Sequence, residues 1–375
     1  MSNVADALRA LKIPAKEIAE KSRLPIERVL AILDGSKVAL SELRAIGTGL
    51  RLPMHVLAKG ERPSERSSVA PLFRAVRGAH QDYDVTIEKI ATFVEASLEL
   101  LPTRRSLPTW LQGLEAKATS YEEADRLAKQ FRAIVYEHPL DDPASDLPAV
   151  LGSLDGVIIS RLLYSRYEGV SLIAGNYCFI FVSPRFQGRM LFTLGHELGH
   201  VIAHHKNGGE ALFEKAGDIG TFGAHSRQEA MVDAFASCLL LPDRGVAKAL
   251  RMFKAHYNVQ VPAISDFEIL LLARFFGVSF DVAARRCEDL ELIPRGAGFA
   301  LSGRLKKEYG SAEKRADQLG VPPRAPIALP ALSRQLSASV SQALEGGNVS
   351  IGWITDRLGL SIAEVLAANK GRASL

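Results

Sequence analysis

The stretch EAMVDAFASCLLL, Glu229 to Leu241, carries only three polar side chains, Glu229, Asp233 and Ser237, each four residues after the last. That spacing puts them on one face of a helix, while Met231, Val232, Phe235, Cys238, Leu239 and Leu240 cover the other faces. A helix so apolar has to be buried, and Pro242 ends it. Burying two carboxylates with it costs several kcal/mol unless each meets a partner inside. A metal ion for Glu229 and a histidine N–H for Asp233 would meet both needs; backbone groups or arginines such as Arg227 are the alternative.

A second stretch offers such partners. In FTLGHELGHVIAHH, Phe192 to His205, His196 and His200 lie one turn apart and about 40° apart around a helix, so both imidazoles can point at one ion. Glu197, about 100° round from His196, flanks that ion where a carboxylate can take a proton from water. Leu191, Leu194, Leu198, Val201 and Ile202 form an apolar stripe on roughly the opposite side. Gly195 and Gly199 each cost about 1 kcal/mol relative to Ala in a helix interior, which predicts close approach of another backbone or of a substrate. HExxH alone recurs by chance; Glu229 as a third ligand completes the three-side-chain set that leaves a hydrolytic zinc one open position. Asp233 then serves as the N–H acceptor beside the ligands. His204, one turn past His200, is placed to ligate, to touch the ligands or to pack, whereas His205 falls on the apolar stripe and reads as structural. Lys206 stands where a metzincin needs its third histidine, which excludes that subclass.

At 375 residues and 47% hydrophobic, the chain can bury a large core in two or three domains. Cys178, Cys238 and Cys287 are widely spaced with no CxxC pair, so neither a disulfide framework nor a cysteine zinc site is expected. Asp6 interrupts what a signal peptide would need, and no run approaches the roughly eighteen apolar residues of a spanning helix, so a cytoplasmic, membrane-free protein is expected. The net charge of +4 is uneven: Met1 to Gly60 holds ten Lys/Arg against six Asp/Glu.

Punctuation divides the chain into residues 1–60, a compact helical domain; 61–84, a polar linker; 85–145, a helical bridge with a Ser120/Glu123 capping-box pattern; 146–292, the segment bearing the histidines; and 293–375, a C-terminal helical region. GVIISRLLYS, GVSLIAG and YCFIFVSP read as three adjacent strands, and Ser183-Pro184 as the start of the histidine helix. The fold class expected is α+β. The strand near Tyr177 to Val182 is expected to hold an extended substrate by backbone pairing, and Tyr177, His225, Arg227 and Tyr257 are unranked candidates for stabilising an oxyanion.

In the first domain, AKEIAEKSRLPIERVLAILDG gives a helix, a short turn and a second helix with Ile18, Ala19, Leu24, Val29 and Leu33 as shared apolar faces. It resembles the Xre/Cro-like helix-turn-helix of bacterial repressors. Base reading would rest mainly on Arg28, with Lys37 beyond the helix end and Arg23 reaching phosphate, so DNA is one expected partner. A module for dimerisation or partner contact is the alternative, and a homodimer fits it. ITDRLGLSIAEVLAANKG, from Ile354, echoes this segment at its packing positions.

MLFTLGHELGHVIAHH followed by EAMVDAFASCLLLP resembles the ImmA/IrrE family of zinc metallopeptidases over about residues 120 to 292. The resemblance implies a minimal zincin-like domain binding Zn2+ through His196, His200 and Glu229. Joined to an Xre-like domain, it implies a bacterial or phage regulator that cleaves a repressor-like protein in a stress or induction response. Where the family often has Glu-Ala-Asn/Asp, this chain reads Met231-Val232-Asp233, leaving Glu229 as the suitable carboxylate one turn before Asp233. From another class, a DNA-binding transcription regulator or antitoxin-like protein whose zincin domain is a sensor or inactive scaffold also fits.

Overall fold

The computed structural model describes residues 3–10, 14–50, 85–136, 140–163, 165, 167–205, 211–215 and 226–370; His225 and the 61–84 linker lie outside them. The chain divides into two units, Met1–Ser68 and Val69–Leu375.

In the first unit, α1 (Asn3–Ala10), α2 (Ala15–Ser22), α3 (Ile26–Leu33) and α4 (Leu40–Leu50) enclose Val4, Leu8, Ile18, Ala19, Val29, Ile32 and Ile46. Pro14 and Pro25 fix the entry to α2 and α3 with φ of −58° and −57°. The turn between these helices runs through Arg23, a non-glycine residue at φ 57°.

The second unit is built on a four-stranded sheet of β1 (Val157–Arg161), β2 (Tyr167–Ala174), β3 (Tyr177–Val182) and β4 (Leu212–Lys215), in the order β1-β3-β2-β4. Strand β1 runs parallel to β3, while β2 is antiparallel to both β3 and β4. Gly175 and Asn176, at φ 56° and 63°, make the two-residue β2–β3 turn that suits the strands' twist. All six residues of β3 are buried because the sheet is covered on both sides.

Its helices are α5 (Val85–Leu100), α6 (Thr109–Gln112), α7 (Tyr121–Val135), α8 (Leu147–Ser153), α9 (Gln187–Ala203), α10 (Arg227–Leu240), α11 (Asp243–His256), α12 (Asp266–Phe275), α13 (Phe280–Asp289), α14 (Ala297–Tyr309), α15 (Ala312–Gln318), α16 (Arg334–Glu345), α17 (Ile351–Leu358) and α18 (Ile362–Lys370). One core holds Val157, Ile159, Cys178 and Ile180 of the sheet together with α7, α9, α10 and α12. The other holds Val170, Leu172, Phe179 and Phe181 of the opposite face against Phe93 and Val94 of α5 and Leu336, Ile354 and Val365 of α16–α18.

Three local expectations are corrected. A fourth strand, β4, joins the sheet, and β3 lies inside it, so both its edges are occupied and it cannot pair with a substrate. Helix α9 starts at Gln187 rather than at Ser183-Pro184, because the Ser183 N–H donates to Glu168 O at 2.8 Å and prolongs the sheet. The capping box at α7 is half made: Ser120 accepts from Glu123 N, but the Glu123 carboxylate accepts from Lys117 N and Arg126 instead.

The echo between chain ends has a structural counterpart. Gly359, between α17 and α18, has φ 64° and ψ 27°, close to the 57° and 28° of Arg23 between α2 and α3. Ile18 and Ile354 are both fully buried, as are Val29 and Val365. Among the described residues no helix is long and apolar enough to cross a membrane.

Candidate metal centre

Helix α10 carries Glu229 and Asp233, and both of its ends are held. The Ser226 hydroxyl accepts from Glu229 N at its start, satisfying one of the free N–H groups there. Near its end, the buried guanidinium of Arg132 donates to Leu239 O at 2.6 Å and that of Arg286 to Leu241 O at 2.8 Å.

Helix α9 packs directly on it, and the two glycines make this possible. A Cβ on Gly195 would stand 3.3 Å from the Ala236 Cβ, and one on Gly199 3.1 Å from the Val232 Cβ. The close approach expected at these glycines is therefore that of α10. From Met190 to Ile202 every residue of α9 is buried, so the polar face is enclosed as well as the apolar one.

That packing brings His196, His200 and Glu229 together. His196 Nε2 and His200 Nε2 are 3.0 Å apart, and each lies 3.4 Å from Glu229 Oε2. A tetrahedral ion with bonds of about 2.1 Å has edges of about 3.4 Å, so the triangle fits a zinc-sized cation. The donor chemistry agrees. His196 Nδ1 bonds Asp233 Oδ1 at 2.8 Å, which commits its N–H there and leaves Nε2 a lone pair aimed into the triangle. His200 Nδ1 lies 2.9 Å from His204 Nδ1, so His204 is the neighbour that fixes the second ring.

The electrostatics call for positive charge at the centre. Burial works to lower the His196 pKa, but its bonds to Asp233 and Glu229 outweigh it and lift the value to about 10. His200, with burial dominant, is pushed down to about 4. Burial would raise Glu229, yet the two histidines hold it well below the usual carboxylate range. An ionised Glu229 carboxylate thus faces a protonated His196 and a neutral His200, and a cation in the triangle would displace that proton and free the His196 Nε2 lone pair.

Glu197 is fully buried, and β2 runs against it at Gly169: a Cβ there would lie 2.1 Å from Glu197 Oε1. Glycine inside a strand signals such an approach, and Gly169 is the one sequence signal of this contact that the histidine motif does not contain. His205 is buried with Nε2 3.2 Å from Ser171 Oγ on the same strand, which ties the end of α9 to β2.

The remaining candidates differ in their surroundings. Tyr177 belongs to the core on the other face of the sheet and donates its hydroxyl to Pro102 O, so it is not positioned for an oxyanion. The Tyr257 ring packs on His256 and Phe267. Arg227 is exposed at the start of α10 and lines a cavity with Asp233. In the first unit Arg28 donates twice to Glu42, at 2.7 and 2.9 Å, and once to Lys37 O, whereas Arg23 and Lys37 are exposed.

An α+β fold with a His-His-Glu triangle and an adjacent buried glutamate defines a candidate metallopeptidase centre. The model of the Peptidase_M78 family, the IrrE N-terminal-like domain, matches residues 161–288, the segment that carries all of these groups, and supports the ImmA/IrrE resemblance. No curated protein matches the chain.

Proposed function

We propose that the chain is a zinc-dependent endopeptidase that acts as a regulator by cleaving a repressor-like protein. The observation that carries this reading is the triangle of His196 Nε2, His200 Nε2 and Glu229 Oε2 with Glu197 one residue along the same helix. Zinc held by these three residues supplies Lewis-acid polarisation of a peptide carbonyl. Glu197 takes a proton from the attacking water on its carboxylate and delivers it to the leaving amine nitrogen. Asp233 and His204 keep the two rings oriented from behind, and the enclosure of α9 excludes bulk water. Strand β4, at the sheet edge among the described residues and next to the strand that touches Glu197, is the better candidate for backbone pairing with an extended substrate. The first unit is proposed to meet DNA through Arg23 and Lys37 at phosphates, since Arg28 is engaged by Glu42.

Purified full-length protein is expected to carry about one zinc. Glu197→Gln should keep that zinc and lose cleavage of repressor proteins encoded beside its gene. A metal-free protein sinks the reading, and regulation that survives Glu197→Gln moves the function to a sensor or scaffold.

A further inference from the structure

Strand β2 alternates in the usual way from Gly169 onward: Val170, Leu172 and Ala174 enter the core shared with α5, while Gly169 and Ser171 face Glu197 of α9 and His205 just past its end. Continued alternation would send Glu168 into the α5 core. The pairing with β4 instead slips between Tyr167 and Gly169, making Glu168 the extra residue of a bulge. A bulge re-aims a side chain. The Glu168 carboxylate turns toward α9, where its Oε1 accepts from Arg189 Nη1 at 2.7 Å. Glu168 is 4% exposed, and its Oε2 has no hydrogen-bond partner among the described residues. A buried carboxylate oxygen left in that state calls for a donor beyond the described residues, and a cationic donor answers it most strongly.

That oxygen's residue lines a cavity of about 310 Å³ whose wall includes the first half of α9. Thr193, one helical turn before Glu197, forms part of its wall, and Phe192, Phe280 and Val282 supply an apolar lining. The volume is at the small end of the roughly 300–1,000 Å³ of ligand clefts, which suits one side chain. Of the other charges lining it, Arg189 answers Oε1 alone, and none is bonded to Oε2 among the described residues. Arg189 is committed to Oε1, Lys306 is exposed, Glu313 is engaged by Arg324 and Arg274, and Asp281 adds a second carboxylate.

We propose that this cavity is a specificity pocket in which Glu168 receives the cationic end of a substrate side chain, so that the chain cuts beside Lys or Arg. The apolar wall takes the aliphatic stem, as such side chains prefer. This proposal rests on the peptidase reading for its consequence, but the pocket can be tested apart from cleavage.

The zinc-loaded full chain is profiled on an unbiased peptide mixture by mass spectrometry. Separately, the Glu197→Gln chain is titrated with N-acetyl-lysine methylamide and its norleucine counterpart. Cleavage should favour Lys and Arg over Gln and norleucine about tenfold or more at one position, the size expected for a charged hydrogen bond. Glu168→Gln should abolish the preference at unchanged zinc content, and Glu168→Asp, which keeps the charge, should retain part of it. No basic preference, or one that survives Glu168→Gln, overturns the proposal. Should no peptide be cut, the titration decides: a lysine preference lost with Glu168→Gln keeps the pocket and sinks only the peptidase reading, whereas equal binding of both probes sinks the pocket.

Discussion

Gly169 on β2 and Glu197 on α9 are in contact so close that the glycine's missing Cβ would overlap the carboxylate, 2.1 Å from Oε1 and 2.8 Å from Cδ. The strand therefore fixes where the glutamate stands. Gly169→Ala is expected to displace the Glu197 side chain, which has no exposed space to enter. Zinc binding should persist, cleavage should fall at least about tenfold, and overpacking should cost about 1–3 kcal/mol of stability. Zinc content, turnover and a denaturant melt together check this; full turnover in the alanine variant refutes it.

Asp233 holds His196 by its Nδ1 side. Asp233→Asn offers an amide where a carboxylate stood and weakens the acceptor without removing bulk. Zinc affinity should drop by about 10- to 100-fold, read by competition with a chelator. The helix itself should remain, so far-ultraviolet circular dichroism is expected to be unchanged.

Gly199→Ala tests the contact between α9 and α10. Alanine gains about 1 kcal/mol in helix propensity, but its methyl would press on Val232 at 3.1 Å and Phe235 at 3.2 Å, both buried. The helices must part, so a net loss of stability is expected together with weaker zinc binding. An increase in melting temperature at unchanged zinc affinity would count against the packing account.

In the first unit, Arg28 holds the Glu42 carboxyl down to about 2. A depressed folded pKa contributes stability above the unfolded value of 4.5, and that contribution is lost as pH falls toward about 2. The pair is at the surface, partly exposed and screened, so the effect is small. The melting temperature of Glu42→Gln should lie below that of the parent at neutral pH, and the two should converge between pH 4.5 and about 2. Releasing Arg28 should also tighten any DNA binding by this unit, measurable by fluorescence anisotropy.

Helical periodicity made the candidate centre legible. The four-residue spacing of Glu229 and Asp233 on an apolar helix and of His196 and His200 on another brought the groups into register before any coordinates. The apolar runs GVSLIAG and YCFIFVSP also marked out β2 and β3. The order of strands was not, because the apolar runs of β1 and β3 look alike whether they lie at an edge or inside a sheet. Strand β4 is four residues long, too short for alternation to register. Nor does sequence show that Ser183 would spend its N–H on Glu168, or that a bulge would turn Glu168 across the sheet. These are choices made between distant segments, whereas helix faces are set within one.

The far face of the sheet has an order-of-synthesis consequence. Val170, Leu172, Phe179 and Phe181 are made early, yet they are roofed in part by Leu336, Val340, Ile354 and Val365, which leave the ribosome more than a hundred residues after His200. Until those helices emerge, the strand that braces Glu197 has only α5 against its apolar back. A nascent chain halted after α13 would hold every proposed ligand with α5 alone over that face of the sheet.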